Sequence, residues 1–348
     1  MKYRLLCGLT LLGMAAILLG CSPAMTATAT LPAAPVSTAA STFMPTMPAV
    51  VDASPTAAME PVTDGALARK YLDAMSEIGS RKMGSTGHEQ AARYLTSAIQ
   101  EMGYTPTLQP FTNKGGDKGN NILFDKAGKS SQVLIVGAHY DSVDNGKGYD
   151  DNASGVAVLL EAASRVQQME TPYTIHFILF DSEETDLEGS TYYVDQMDES
   201  SVKNTITMVN LDSLAVGDYT YIYGTGGTDG HIRDWALDYA KKNNLNLITQ
   251  GGKNPELPVG TTGDWSDHAP FLHKGIEYAY FEATNWDLGD LDGYTQVNTD
   301  LGVDGEVWHT EFDNKDYIQS TFPGRDQEHL ALFSNVLTHI LTDYTNSK

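Results

Sequence analysis

The sequence predicts an α/β protein: a three-layer α/β/α sandwich with a mainly parallel mixed sheet, folded as a single globular domain. Three observations carry that expectation. The chain of 348 residues is 41% hydrophobic and 9% aromatic, which supplies one large core and excludes disorder over most of its length. Its two cysteines, Cys7 and Cys21, both lie in the first apolar segment, so neither a disulfide nor thiolate-bound zinc can staple the body. Short apolar runs alternate with helical patterns along the rest of the chain, as in a sheet covered on both faces.

At the N-terminus, Lys2 and Arg4 precede an apolar run from Leu5 to Gly20, which is short for a membrane span and has the charged start of an export signal. Leu18-Leu19-Gly20-Cys21 resembles the lipobox of bacterial lipoproteins, in which the cysteine is lipidated and becomes the mature N-terminus. Residues 1–21 are therefore expected to be a lipoprotein signal peptide, and the protein to be exported and lipid-anchored to the bacterial cell envelope through Cys21. Residues 22–62 are Ala-, Thr- and Pro-rich and hold half of the chain's 14 prolines, which disfavours helix and predicts a disordered tether. The globular domain is then 63–348.

Leu67, Tyr71, Met75 and Ile78 share one helical face, and so do Ala91, Leu95, Ala98 and Met102 before the stop signal Gly103. Apolar runs at Val133 to Gly137, Ile175 to Phe180, Ile206 to Leu211, Tyr219 to Tyr223 and Tyr278 to Phe281 read as strands. Helical patterns near 154–168, 187–197, 229–243 and 267–274 separate them. A last helix from Asp326 to Tyr344 carries Leu330, Phe333, Leu337 and Ile340 on one side. In such a fold the ligand site lies at the carboxyl ends of the strands.

The net charge of -23 repels phosphate backbones, so nucleic acid is not an expected partner. Polar residues collect at the predicted strand ends: His139-Tyr140-Asp141-Ser142, Asp150-Asp151-Asn152, Glu183-Glu184, Asp212 and Ser266-Asp267-His268. Singly, each reads as a turn, a helix cap or a hydrogen-bonded histidine. Together, two His with Asp and Glu and no Cys suit zinc held by imidazole and carboxylate. Five ligands exceed one tetrahedral site and fit two ions if one carboxylate bridges them. A second Glu beside a ligand Glu is then free to take a proton from water.

These residues, in this order, resemble the zinc-dependent aminopeptidase family that also contains glutaminyl cyclases. Glu282-Ala283-Thr284-Asn285-Trp286, Gly293-Tyr294 and Trp308-His309-Thr310 further resemble its branch containing the alkaline phosphatase isozyme conversion aminopeptidase. The resemblance implies two zinc ions per chain: His139 and Asp212 on one, Glu184 and His268 on the other, and Asp151 as the bridge, with a cis peptide between Asp151 and Asn152. It implies Glu183 as general base and Asp141 as the group that orients the ring of His139. The family's oxyanion-steadying tyrosine finds no obvious match, and His309 stands between a supporting and a surface role. The implied activity is hydrolysis of the first peptide bond of peptide or protein N-termini.

Three rivals remain. A carboxypeptidase of the related family needs a lid domain for which the interval from Asp212 to His268 has no room. A glutaminyl cyclase binds one zinc, and a lipid-anchored binding protein of the same fold would have no catalysis. Asp287, Asp290 and Asp292, flanked by Trp286 and Tyr294, read either as the wall of a pocket for a cationic side chain or as a solvated acidic turn with a broad or Leu-type preference.

Overall fold

The computed structural model describes residues 64–225 and 230–346. The expected signal peptide and tether lie outside the described residues. Two helices open the domain, α1 (Ala66–Ile78) and α2 (Thr86–Glu101). The second starts earlier than its apolar pattern because the Ser85 side chain accepts a hydrogen bond from His88 N at 3.1 Å and caps it. Strands β1 (Thr107–Thr112), β2 (Lys118–Lys126) and β3 (Ser130–His139) follow, of which only β3 was legible as an apolar run. After α3 (Gly155–Val166) come β4 (Tyr173–Phe180), α4 (Glu188–Asp195), α5 (Glu199–Asn204) and β5 (Thr205–Leu211). The chain continues through β6 (Tyr219–Gly224), α6 (His231–Lys242), the two-residue β7 (Leu247–Ile248), α7 (His268–His273) and β8 (Tyr278–Thr284). It closes with α8 (Lys315–Thr321) and α9 (Arg325–Asp343).

The eight described strands form one mixed sheet in the order β1-β2-β4-β3-β5-β8-β6-β7. Its centre, β4-β3-β5-β8, is parallel, while β2 meets β4 and β6 meets β8 antiparallel. Alternation along β3 divides the core. Leu134, Val136 and Ala138 pack with α1, α2, α3 and α9, and Val133 and Ile135 pack with Val194 and Phe271 of α4 and α7 on the other face. This is the expected sandwich.

Helix α3 lies between the sheet and the outer helices and is buried on nearly every side. The one carboxylate in its middle, Glu161, accepts Gly65 N at 2.9 Å and Ala68 N at 2.7 Å, so it satisfies open amides at the start of α1. Another buried ionisable group, His329 of α9, has its pKa lowered to about 4 by burial and then by Arg325. A depressed folded-state value favours the neutral ring, so its contribution is complete above the unfolded value near 6.5 and is lost as pH falls from there towards 4. Over that window the wild type is expected to lose roughly 3 kcal/mol through this group. His329→Gln removes that part of the slope, which urea melts at pH 7.5, 6, 5 and 4.5 would read.

Candidate metal centre and catalytic cleft

The parallel strands β3, β4 and β5 end side by side, and their run-out residues converge. His139, the last residue of β3, is 1% exposed, and neither ring nitrogen has a hydrogen-bond partner. Its Nε2 lies 3.1 Å from Asp151 Oδ1, 3.4 Å from Asp212 Oδ1 and 3.9 Å from Glu183 Oε2. Asp212 follows β5 directly and accepts Ser266 Oγ at 2.7 Å, while Ser266 Oγ itself accepts Asn210 Nδ2 at 2.7 Å.

Asp151 sits in a π-helical turn, Tyr149–Ser154, whose φ/ψ at Asp151 and Asn152 are not helical; the peptide between them is cis, as the resemblance implied. The turn is tied down on all sides. Asn152 Nδ2 donates to Leu211 O at 2.8 Å, and the Asp313 carboxylate accepts Asp150 N at 2.6 Å and Asp151 N at 3.2 Å. The fully buried Arg81 guanidinium donates to the carbonyls of Tyr140, Lys147 and Gly148 at 2.7, 2.9 and 2.8 Å. Gly148, at φ 59, lies so close that a Cβ there would stand 2.6 Å from Asp151 O, and glycine alone fits. The fold also separates the two adjacent acids. Asp150 turns inward, accepting Ala215 N and Gln296 Nε2 at 2.6 Å each, and leaves Asp151 facing His139.

Glu183 and Glu184 follow β4, and both backbone amides donate to Asp141, at 3.1 and 3.3 Å. Asp141 Oδ1 is 3.4 Å from His139 Nδ1, so this carboxylate sets the glutamate turn as much as it faces the ring.

The second histidine is where the structure departs from the sequence reading. His268 is fully buried at the start of α7, its Nε2 donates to Gly263 O at 3.0 Å, and its ring packs on Tyr278 and Tyr280. Burial lowers its pKa to about 4, and among the described residues it joins no set of clustered His and acidic ligand atoms. His309 stands in its place, with Nε2 3.0 Å from both Asp151 Oδ2 and Glu184 Oε2. Between Asp212 and His309 the described residues contribute β6, β7 and β8 to the one sheet and α6 and α7 beside it, and among them no separate lid domain is present. The signal that pointed to His309 was Trp308-His309-Thr310; Asp313 and Arg81 gave none.

Among the described residues three groups of possible donor atoms lie within 4.8 Å of one another, His139–Glu183–Glu184, His139–Asp151–Asp212 and Asp151–Glu184–His309, and the last two share Asp151. The electrostatics of these residues ask for cations. Burial, with Glu184 and Asp212 nearby, raises the Glu183 carboxyl well above the usual range although His139 opposes it. Burial and Asp151 push Glu184 up to about 7. Burial disfavours His139 protonation, yet Glu183 and Asp212 drive its pKa well up, and hydrogen bonds to Asp151 and Glu184 raise His309 to about 12. A buried imidazole with unpartnered nitrogens amid carboxylates, with no thiolate, fits zinc. Backbone strain gathers here too, since Ser182, Asp186, Leu187, Ser213 and His309 all have positive φ.

The cleft over these residues is about 300 Å³ and is walled by Trp265, Tyr280, Tyr294 and Trp308. The acidic segment read as one candidate wall faces elsewhere. Asp287 pairs with Lys253, Trp286 is 2% exposed with Nε1 donating to Tyr223 OH, and of that segment only Tyr294 reaches the cleft. Glu282 lines it instead.

Comparison with known proteins agrees with this fold. The chain is 31% identical over 277 residues to the alkaline phosphatase isozyme conversion protein of Escherichia coli, covering 70% of this chain and 80% of that one. It is 39% identical over 190 residues to the Probable lipoprotein aminopeptidase LpqL of Mycobacterium tuberculosis, 53% of this chain and 34% of that protein. Several of its curated relatives are longer, and the chain spans about half or less of them. Among solved structures, a zinc aminopeptidase from Bacillus subtilis superposes with a TM-score of 0.65 at 18% identity, over 82% of this chain and 97% of that one. The model of peptidase family M28 matches residues 121–333. The chain belongs to peptidase family M28 and is a zinc-dependent hydrolase.

Proposed function

We propose that this protein is a two-zinc aminopeptidase that removes the N-terminal residue of peptides or proteins. The observation that carries this reading is the pair of donor sets joined through Asp151. His139 and Asp212 would hold one ion, Glu184 and His309 the other, and Asp151 both. When bound, the ions polarise the scissile carbonyl and lower the pKa of water.

The chain's own groups do the rest. Glu183 lines the cleft beside both sets, is not needed as a ligand, and is held by its amide on Asp141. It takes a proton from the attacking water and returns it to the leaving amine. A cleft lined by carboxylates without Lys or Arg receives a free α-ammonium, which favours an exopeptidase over an endopeptidase. Two donor sets favour this reading over a single-zinc cyclase, and a complete set with a spare Glu favours it over a non-catalytic binding protein.

The lipobox-like Cys21 and the likeness to a protein named as a lipoprotein support export and anchoring to the envelope by lipid. Among the described residues no helix is long and apolar enough to cross a membrane.

The expected result for the purified protein is two zinc ions per chain, with hydrolysis of aminoacyl amides abolished by chelation and restored by zinc. Elemental analysis finding one ion or none in an active preparation, or cyclisation of N-terminal glutamine as the main reaction, would overturn it.

A further inference from the structure

The two histidines of the centre are held in different ways. His139 ends β3 and is 1% exposed, so the sheet itself fixes it. His309 lies on an irregular segment, at φ 56, with its side chain 45% exposed. An exposed bond from Asn145 Nδ2 reaches its carbonyl at 3.1 Å, and the buried support comes from Gln296. That side chain is 0% exposed, and its Oε1 accepts Val307 N at 3.0 Å and Trp308 N at 2.9 Å, the two amides before His309. Its Nε2 donates to Asp150 Oδ2 at 2.6 Å, on the residue before Asp151. One glutamine thus joins the segment of His309 to the turn of the bridging carboxylate.

Both ends of this link are fixed. The Gln296 carbonyl accepts Asp218 N at 3.0 Å just before β6, and its N donates to Gly305 O at 3.0 Å. Asp150 Oδ1 accepts Ala215 N at 2.6 Å, so both oxygens of that carboxylate are taken. Each end of the glutamine amide faces the partner its chemistry demands, oxygen towards two N–H groups and nitrogen towards a carboxylate. A carboxylate at 296 fails at the Asp150 end. An apolar side chain leaves two buried amides unpaired, which costs more than the lost bonds would suggest.

We propose that Gln296 is a positioning residue that sets the His309 imidazole against Asp151 and Glu184 by tying the two preceding amides to the turn that carries Asp151. The proposal rests on the two-zinc reading above. The turn keeps its ties to Asp313, Leu211 and Arg81 without Gln296. Loss of Gln296 therefore frees the segment of His309, and the ion held by His309 weakens while the ion held by His139 and Asp212 stays.

The test follows zinc retained by the full chain in graded concentrations of a competing chelator, alongside unfolding midpoints of the same samples. His309→Ala marks which release step belongs to the ion at issue. Gln296→Met keeps the volume and removes both polar ends. It is expected to release that ion at least about tenfold more readily than the wild type, the scale of lost support behind a metal ligand, with the other release step unchanged. Gln296→Glu and Asp150→Asn, each alone, mismatch the link and should do the same. Combined, they exchange carboxylate and amide, so the bond between the two side chains and the net charge return, and most of the retention should return with them. If Gln296→Met does not fold, this exchange decides. Wild-type retention by Gln296→Met overturns the proposal, as does equal weakening of both ions, which would mark a general structural role. A double variant no better than either single one overturns it too. A wild type holding only one ion removes the two-zinc reading and this proposal together, whereas a wild type holding two, with variants that behave like it, removes only this one.

Discussion

Glu183→Gln is expected to lower kcat by roughly 10²–10⁴-fold while both zinc ions stay bound. The amide is isosteric, keeps the backbone bond from Glu183 N to Asp141 at 3.1 Å, and cannot carry a proton from water to the leaving amine. Because the group acts on the reacting atoms and not on ground-state binding, KM should move little. Glu184→Gln separates from it. That side chain meets His309 Nε2 at 3.0 Å within the second donor set, so zinc content should fall along with activity. Parallel metal analysis and steady-state kinetics on the two variants would show whether the neighbours have different jobs; equal loss of zinc in both would mean that they do not.

His309→Ala should leave about one zinc per chain and lose at least about 100-fold in activity, because the second donor set falls to two carboxylates. His268→Ala should keep both ions. Its cost is to stability, a few kcal/mol for emptying a fully buried site packed on Tyr278 and Tyr280. The pair is decisive for the histidine at issue: zinc lost from His268→Ala and retained by His309→Ala would restore the assignment that the linear sequence suggests.

The difference between the sequence reading and the placement of His268 has a physical origin. Ser266-Asp267-His268 follows the other strand-end acids in the expected order, and nothing local reveals that its ring N–H is taken by Gly263 O. His309 lies on an irregular segment between β8 and α8, where no periodicity announces what the chain will face after crossing the cleft. Of the other candidates, His139 ends a parallel strand and Glu183, Glu184 and Asp212 follow one closely, where apolar runs fix where each strand stops and hence where the next side chains point. Strands β1 and β2 were illegible for the opposite reason. Thr107–Thr112 is a largely exposed edge strand containing Pro110, and Lys118–Lys126 is interrupted by Gly119, Asn120 and Asn121. The choice between Asp150 and Asp151 needed the resemblance, because only the turn's tertiary bonds turn one acid away.

Arg81 gives the centre a charge condition. It is fully buried, and its guanidinium is spent on three carbonyls of the Tyr140 to Gly148 loop while its field reaches Asp141, Asp151, Glu184 and Asp313. The acids gathered here, Asp141, Asp151, Glu183, Glu184 and Asp212 with Asp313 behind them, outnumber Arg81. Bound cations offset that surplus, which the low-dielectric interior resists, and with fewer ions protons on Glu183 or His309 are the nearest substitutes. An invariant positive charge beneath the site thus makes proton uptake the alternative to the second metal, so acidity and metal scarcity press on this protein in the same direction.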